Sequence, residues 1–254
     1  RSFGTGNASY YSLTFTVPEG RFLRLAGFNT YYKNTAGDNL TPVTDPVTAA
    51  IWAVDQTGAP VSGAPLFQKQ LSGDNYLYNG SSFGQAFTIP LDDANMNFAP
   101  GARFALSIGF SQSSDQPMAG SDVANRVQHI SYISDDGGLT WSEDETYTHF
   151  IKGLFWSLNA VYVHNSMDAD GSDNTTGDRT GASGWTVNLY QGQNLVATAQ
   201  TDVNGDAVFS PIDNEIPNGS YRVEIEDREG YTHVTSAQQD ITLAGESKTV
   251  TFAQ

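Results

Sequence analysis

Apolar residues in this chain recur at every second position in short runs, and each run ends at Gly, Pro, Asn or Asp. No stripe with the 3.6-residue period of a helix is present. Residues i, i+2 and i+4 share one face of a strand, so this alternation points to β-structure almost throughout. Residues 9–17 set Tyr11, Leu13, Phe15 and Val17 on one face and stop at Pro18-Glu19-Gly20. Residues 21–32 carry Phe22, Leu23, Leu25 and Phe28; residues 47–54 alternate Val47, Ala49, Ile51 and Ala53 against Trp52 and Val54. Further strands are expected at 65–71, 85–91, 103–110, 128–133 and 150–163. Polar or turn-rich loops lie between them at 33–46, 55–64, 72–84 and 111–126. Trp52, Trp156 and Trp185 sit in strand patterns and are expected in the core.

The pattern then lapses. Residues 165–183, NSMDADGSDNTTGDRTGAS, have no apolar periodicity. From 184 it restarts, with Trp185, Val187 and Leu189 against Thr186, Asn188 and Tyr190. Runs at 195–201, 207–209, 220–226 and 236–252 follow, with a turn at Asp202-Val203-Asn204-Gly205. Short strands at regular spacing with turn signals describe an immunoglobulin-like sandwich of roughly 90 residues. The expected architecture is therefore all-β. A β-sandwich over 1–160 leads through an acidic segment at 161–183 to a smaller immunoglobulin-like β-sandwich over 184–254.

Charge narrows the partners. Twelve basic residues stand against twenty-eight acidic ones, a formal net charge of −16 over 254 residues. Such a field repels nucleic acid and anionic membranes. No cysteine is present, which removes disulfides and thiol chemistry. No apolar run approaches the ~18 residues of a membrane helix. The chain opens at Arg1 with no signal segment, and it reads as an excised part of a larger secreted or cell-surface polypeptide.

Residues 131–156, SYISDDGGLTWSEDETYTHFIKGLFW, concentrate the chemistry. Asp136-Gly137-Gly138 between two apolar runs is a hairpin signal, because Gly supplies the positive φ of a tight turn. Trp141 follows three residues later. Two readings fit: a hairpin whose Trp caps the core, or a rim where Asp135, Asp136, Trp141 and Tyr147 meet a ligand. Carboxylates accept hydrogen bonds from hydroxyls, and aromatic rings cover the C–H face of a sugar. The long 72–84 loop adds Tyr76 and Tyr78, flanked by Asn75 and Asn79. Asp168, Asp170, Asp173 and Asp178 are interleaved with Gly171, Asn174 and Gly177. Closely spaced carboxylates with intervening glycines suit a hard cation such as calcium, while a solvated acidic linker needs none. The spacing is not that of an EF-hand. Catalysis lacks a signature: His129, His149, His164 and His233 form no H-E-x-x-H, and no serine stands in G-x-S-x-G. The chain is read as a non-enzyme.

Two resemblances extend this reading. Ser131, Tyr132, Ser134, Asp136, Gly137, Gly138 and Trp141, followed by Ile151-Lys152-Gly153, resemble the signature of the lectin-like domain that accompanies bacterial and archaeal papain-type peptidases and some adhesins. Residues 98–106, FAPGARFAL, are similar to that family's strand opening, and the likeness spans roughly residues 8–158. It implies a β-sandwich that binds carbohydrate. Gly184, Val187, Leu189, Tyr190, Thr198, Thr201, Asp202, Gly205, Phe209, Gly219, Tyr221, Val223, Ile225, Gly230 and Tyr231 resemble the B-type domains of collagen adhesins and serine–aspartate-repeat proteins. The acidic run before them is similar to the calcium segment of the latter, which implies a metal brace. Lys248 is the only lysine after residue 152 and lies in the last strand, so no lysine–asparagine crosslink is expected. The resulting expectation is an extracellular, non-catalytic adhesin fragment with a carbohydrate or other cell-surface ligand and a calcium-braced spacer. A purely structural stalk, or the ancillary part of a secreted peptidase or glycosidase, is the alternative.

Overall fold

A computed structural model describes residues 9–34, 47–71, 85–110, 117–119, 121–122, 131–144, 148–149, 151–168 and 179–254. These residues form strands and one short 3-10 turn at Asp92–Ala94. Backbone packing divides the chain into two units. Arg1–Val17, Leu25–Met96 and Gly101–Trp156 make the first; Pro18–Arg24, Asn97–Pro100 and Ser157–Gln254 make the second.

The strands up to residue 158 are β1 (Ser9–Thr16), β2 (Phe22–Asn34), β3 (Val47–Ala53), β4 (Phe67–Leu71), β5 (Gln85–Pro90), β6 (Asn97–Phe98), β7 (Arg103–Phe110), β8 (Pro117–Ala119), β9 (Ser121–Asp122), β10 (Ser131–Ser134), β11 (Ser142–Glu143), β12 (Thr148–His149) and β13 (Ile151–Leu158). A six-stranded sheet runs β11-β10-β1-β7-β3-β4. In another, β2 lies between β13 and β5 and also pairs with β6 and β8. The strands β8 and β9 fall inside the stretch expected to be a polar loop, because ladder bonds use backbone groups that any side chain leaves available.

The central strands of the six-stranded sheet are buried on both faces, while the edge strands β11 and β4 expose side chains. Leu13 and Ile51 flank Leu106 in the ladder, and with Ala49, Phe104 and Ile108 they form one buried face. Burial of each such large side chain stabilises by about 1.5–3 kcal/mol. The opposite face buries Tyr10, Ala50, Trp52 and Ala105 as a second apolar cluster, with Trp141 packed on it. Alternation along residues 9–17 suggests only one inward face. Ser12, on the other, is nevertheless fully buried opposite Ser107, whose hydroxyl accepts the Trp52 indole N–H at 2.7 Å. Aromatic cover from distant segments closes this face. Trp52 and Trp185 are core as expected; Trp156 is not, with 62% of its surface exposed. Its position in β13 shows alternation but not which face is covered.

In the second unit β14 (Val161–Met167), β15 (Thr180–Gly181), β16 (Thr186–Gln191), β17 (Asn194–Gln200), β18 (Asp206–Phe209), β19 (Gly219–Ile225), β20 (Gln238–Leu243) and β21 (Lys248–Ala253) form two four-stranded sheets. One runs β17-β16-β19-β20. In the other β14 is central, flanked by β15, β18 and a parallel β21. Trp185, Val187, Leu189, Phe209, Val223, Ile225, Val250 and Phe252 are among the residues of its core. The Tyr221 hydroxyl donates to the Pro217 carbonyl at 2.8 Å. A tyrosine that bonds back to the backbone just upstream is a corner device of immunoglobulin-like sandwiches.

Three boundaries differ from the sequence reading. The run 150–163 breaks at Asn159, a buried residue that donates to the Ile216 carbonyl at 2.8 Å and to Asn218 Oδ1 at 3.0 Å, and accepts from Gly245 N–H at 2.8 Å. The run 236–252 breaks at Gly245, with φ of 86°, where the chain changes sheets. Polar residues from Asn165 onward continue β14 to Met167. Asn165 is fully buried because its N–H bonds the Gly205 carbonyl, its carbonyl accepts from Ala182, and its Oδ1 accepts from Gln254. Its side-chain nitrogen alone lacks a partner among the described residues; polar groups satisfied to this extent can be buried, so composition alone misread this stretch.

Candidate functional site

The hairpin expected at Asp135–Trp141 is present. Tyr132 pairs with Glu143 and Ile133 with Ser142. Gly137 and Gly138 take φ of 77° and 91°, a region open chiefly to glycine. A Cβ on Gly138 would also strike the Trp52 ring, so the turn lies directly on the buried indole. Its neighbour in space is the 55–64 segment, where Gly63 N–H donates to the Gly138 carbonyl at 3.1 Å.

Asp136 is committed to the turn. Its Oδ1 accepts from Ser134 Oγ at 2.8 Å and from Thr140 N–H at 2.8 Å; its Oδ2 accepts from Thr140 Oγ1 at 2.6 Å. Gly138 N–H donates to Ser134 Oγ at 2.8 Å and closes the ring of bonds. The Leu139 N–H also bonds this carboxylate, and a carboxylate offers about four acceptor positions, so its capacity is taken up by the turn. The Thr140 hydroxyl, and then the Thr140 N–H, hold the Asp136 carboxyl down to about 2. These bonds favour the charged form. Ser134 entered the sequence reading only as part of the lectin-like signature and Thr140 not at all, although hydroxyls two residues before and four after an aspartate in a Gly-Gly turn are a readable signal for such a loop.

Trp141 meets Trp52 edge-on at 5.1 Å between ring centroids and Tyr10 at 6.1 Å. It is half-buried, and its indole Nε1 is shielded without a hydrogen-bond partner among the described residues. Asp135 and Leu139 are exposed at the tip. The structure thus brings Asp135, Asp136 and Trp141 onto one hairpin, with Asp136 and Trp141 engaged in building it. Tyr76, Tyr78 and Tyr147 lie outside the described residues. Tyr132, an aromatic of the lectin-like signature, is buried.

Of the calcium candidates, Asp170, Asp173 and Asp178 lie outside the described residues. Asp168 closes the strand β14, with its carboxylate fully buried and Arg179 Nε at 3.8 Å. Its N–H donates to the Gln254 carbonyl at 2.8 Å. Among the described residues no group of three or more His, Asp or Glu side chains is placed to hold a metal ion.

No protein-family model and no curated protein matches this sequence. Among solved structures, the chain is similar to a minor pilin of the Gram-positive pathogen Streptococcus agalactiae: 14% identity, TM-score 0.28, 84% of each chain covered. It is also similar to a pilus 2b backbone protein of group B streptococcus, with 12% identity, TM-score 0.28, and 100% of this chain and 95% of that one covered. A third likeness is to the major pilin SpaD of Corynebacterium diphtheriae, with 10% identity, TM-score 0.25, and coverage of 97% and 63%. Superpositions this loose place no residue of the site.

Proposed function

We propose that the chain is a non-catalytic structural or adhesive part of a larger polypeptide displayed outside the cell. The observation that carries this reading is the parallel pairing of β14 with β21, in which Val161 faces Lys248 and Ser166 faces Ala253. Parallel neighbours run in the same direction, so β14 and β21, which open and close the eight-stranded run from Val161 to Ala253, start at one pole and finish at the other. Each residue of strand adds about 3.3 Å, so the chain advances by roughly 20 Å across the paired segment. A unit threaded in this way lengthens the polypeptide that contains it. The net charge of −16 suits a surface that stays dispersed in water.

The adhesive form of the reading places a saccharide at the hairpin tip. Its support is the exposed Asp135 beside the partly exposed Trp141. The calcium brace rests on the acidic run that begins at Asp168. The spacer form needs neither. Surface biotinylation of intact cells making the full-length protein tests the location, and failure to label it sinks the extracellular reading. Retention of the 254-residue chain on a glycan array, lost in Asp135→Ala, supports the hairpin site. Retention of no glycan removes the adhesive form and leaves the spacer.

A further inference from the structure

The outward face of the sheet β17-β16-β19-β20 carries a feature that the spacer role does not require. A cleft of about 500 Å³ is lined by Gly192, Ser220, Arg222, Asp240 and Thr242, with Tyr221 and Ile241 contributing between them. This lies within the range of ligand clefts, about 300–1,000 Å³. We infer that this cleft binds a neutral saccharide.

The ladder explains the arrangement. Ser220 stands opposite Thr242 and Arg222 opposite Asp240 on β19 and β20, and Tyr190 stands opposite Arg222 on β16. Side chains at alternate positions share a face, so hydroxyls, guanidinium and carboxylate form a two-by-two array on one surface. Gly192, at the turn after β16, has no side chain and open space where a Cβ would stand, which leaves one end of the array uncovered. Arg222 is held before any ligand arrives. Its guanidinium carbon lies 4.9 Å from the Tyr190 ring centroid, and Nη2 is 3.4 Å from Glu224 Oε2. A guanidinium has five N–H donors; the Nε–H is shielded and without a partner among the described residues, so the Nη groups are the donors that can meet a ligand. Asp240 is exposed and makes no ion pair among the described residues.

A fixed donor beside a free acceptor, with two hydroxyls two residues further along the same strands, matches sugar hydroxyls, each of which both donates and accepts. Fixing Arg222 in advance lowers the ordering cost of binding. The charges choose among ligands. One guanidinium against Asp240 and Glu224 leaves the cleft slightly negative, which disfavours phosphates, sulfates and uronic acids.

The test uses the full chain, labelled with ¹⁵N, and four neutral probes: maltotetraose, mannotriose, chitotriose and galactobiose, each to about 10 mM, a range that captures weak sites. The expected result is saturable shifts, with at least one probe, of the Arg222 Nε–H and of backbone amides 220–222 and 240–242. Asp240→Ala should weaken that probe at least about tenfold with an unchanged melting temperature, and Asp135→Ala should leave it alone. Several outcomes overturn the inference: no shift at these amides with any probe, shifts that survive Asp240→Ala, or binding of trigalacturonate but of no neutral probe. Shifts confined to residues 135–141 also overturn it, while supporting the hairpin site.

Discussion

Replacing Trp141 with alanine separates a ring that builds the hairpin from a ring that waits for a ligand. An emptied aromatic core position costs about 3–5 kcal/mol, and Trp141 is only half-buried. Its contacts with Trp52 and Tyr10, at 5.1 and 6.1 Å, add about 0.5–1.5 kcal/mol each beyond area burial. Against these losses, the shielded indole N–H has no partner, and leaving such a donor unsatisfied costs the native state about 1–3 kcal/mol that the alanine recovers. The balance is a destabilisation of about 2 kcal/mol. Trp141→Phe keeps a ring against Trp52 and removes the orphan donor, so it should fall within about 1 kcal/mol of the parent. Near-ultraviolet circular dichroism during heating reports the packing of these indoles. At this size about 2 kcal/mol lowers the first unit's midpoint by roughly 4–8 °C. An alanine variant that melts within about 1 °C of the parent would refute the packing argument and return Trp141 to the candidate binding residues. A phenylalanine variant as unstable as the alanine would show that the N–H has a partner after all.

The remaining predictions follow from named bonds. Thr201→Val, at a buried hydroxyl that donates to the Ala182 carbonyl at 2.6 Å and accepts from Trp185 N–H at 3.0 Å, should cost the second unit about 2–4 kcal/mol in urea unfolding; a loss under about 0.5 kcal/mol contradicts it. Asp136 has a folded-state value of about 2, below that of an unfolded aspartate, so its stabilising contribution is full above about pH 4 and is lost as pH falls toward 2. Asp136→Asn should therefore lower the urea midpoint at pH 6, and the gap should close by pH 2; a gap independent of pH overturns this. If calcium braces the acidic run at Asp168, chelation should lower the second unit's midpoint, since a ligand at a hundredfold excess over Kd adds about 2.7 kcal/mol. An unchanged midpoint makes the run a linker.

Period two in the apolar pattern determined the all-β class and most strand positions, because a strand with one buried face must alternate. The Asp136-Gly137-Gly138 turn and the Asp202–Gly205 turn were equally legible, since their geometry needs glycine at positive φ, which Gly137, Gly138 and Gly205 supply. What alternation does not carry is which face meets what. Trp156 and Trp52 look alike in their runs, yet one is exposed and the other buried, because only Trp52 receives cover from Trp141, a residue about ninety positions away. Asn165 reads as linker by composition and is core by hydrogen bonding, because its partners, Gly205, Ala182 and Gln254, are assembled only when β14 meets its three neighbours. Asp136 reads as a free carboxylate, and only the folded turn brings Ser134 and Thr140 onto its oxygens. The array on β19 and β20 was invisible for the same reason: Arg222 and Asp240 are eighteen residues apart, and strand register alone makes them neighbours.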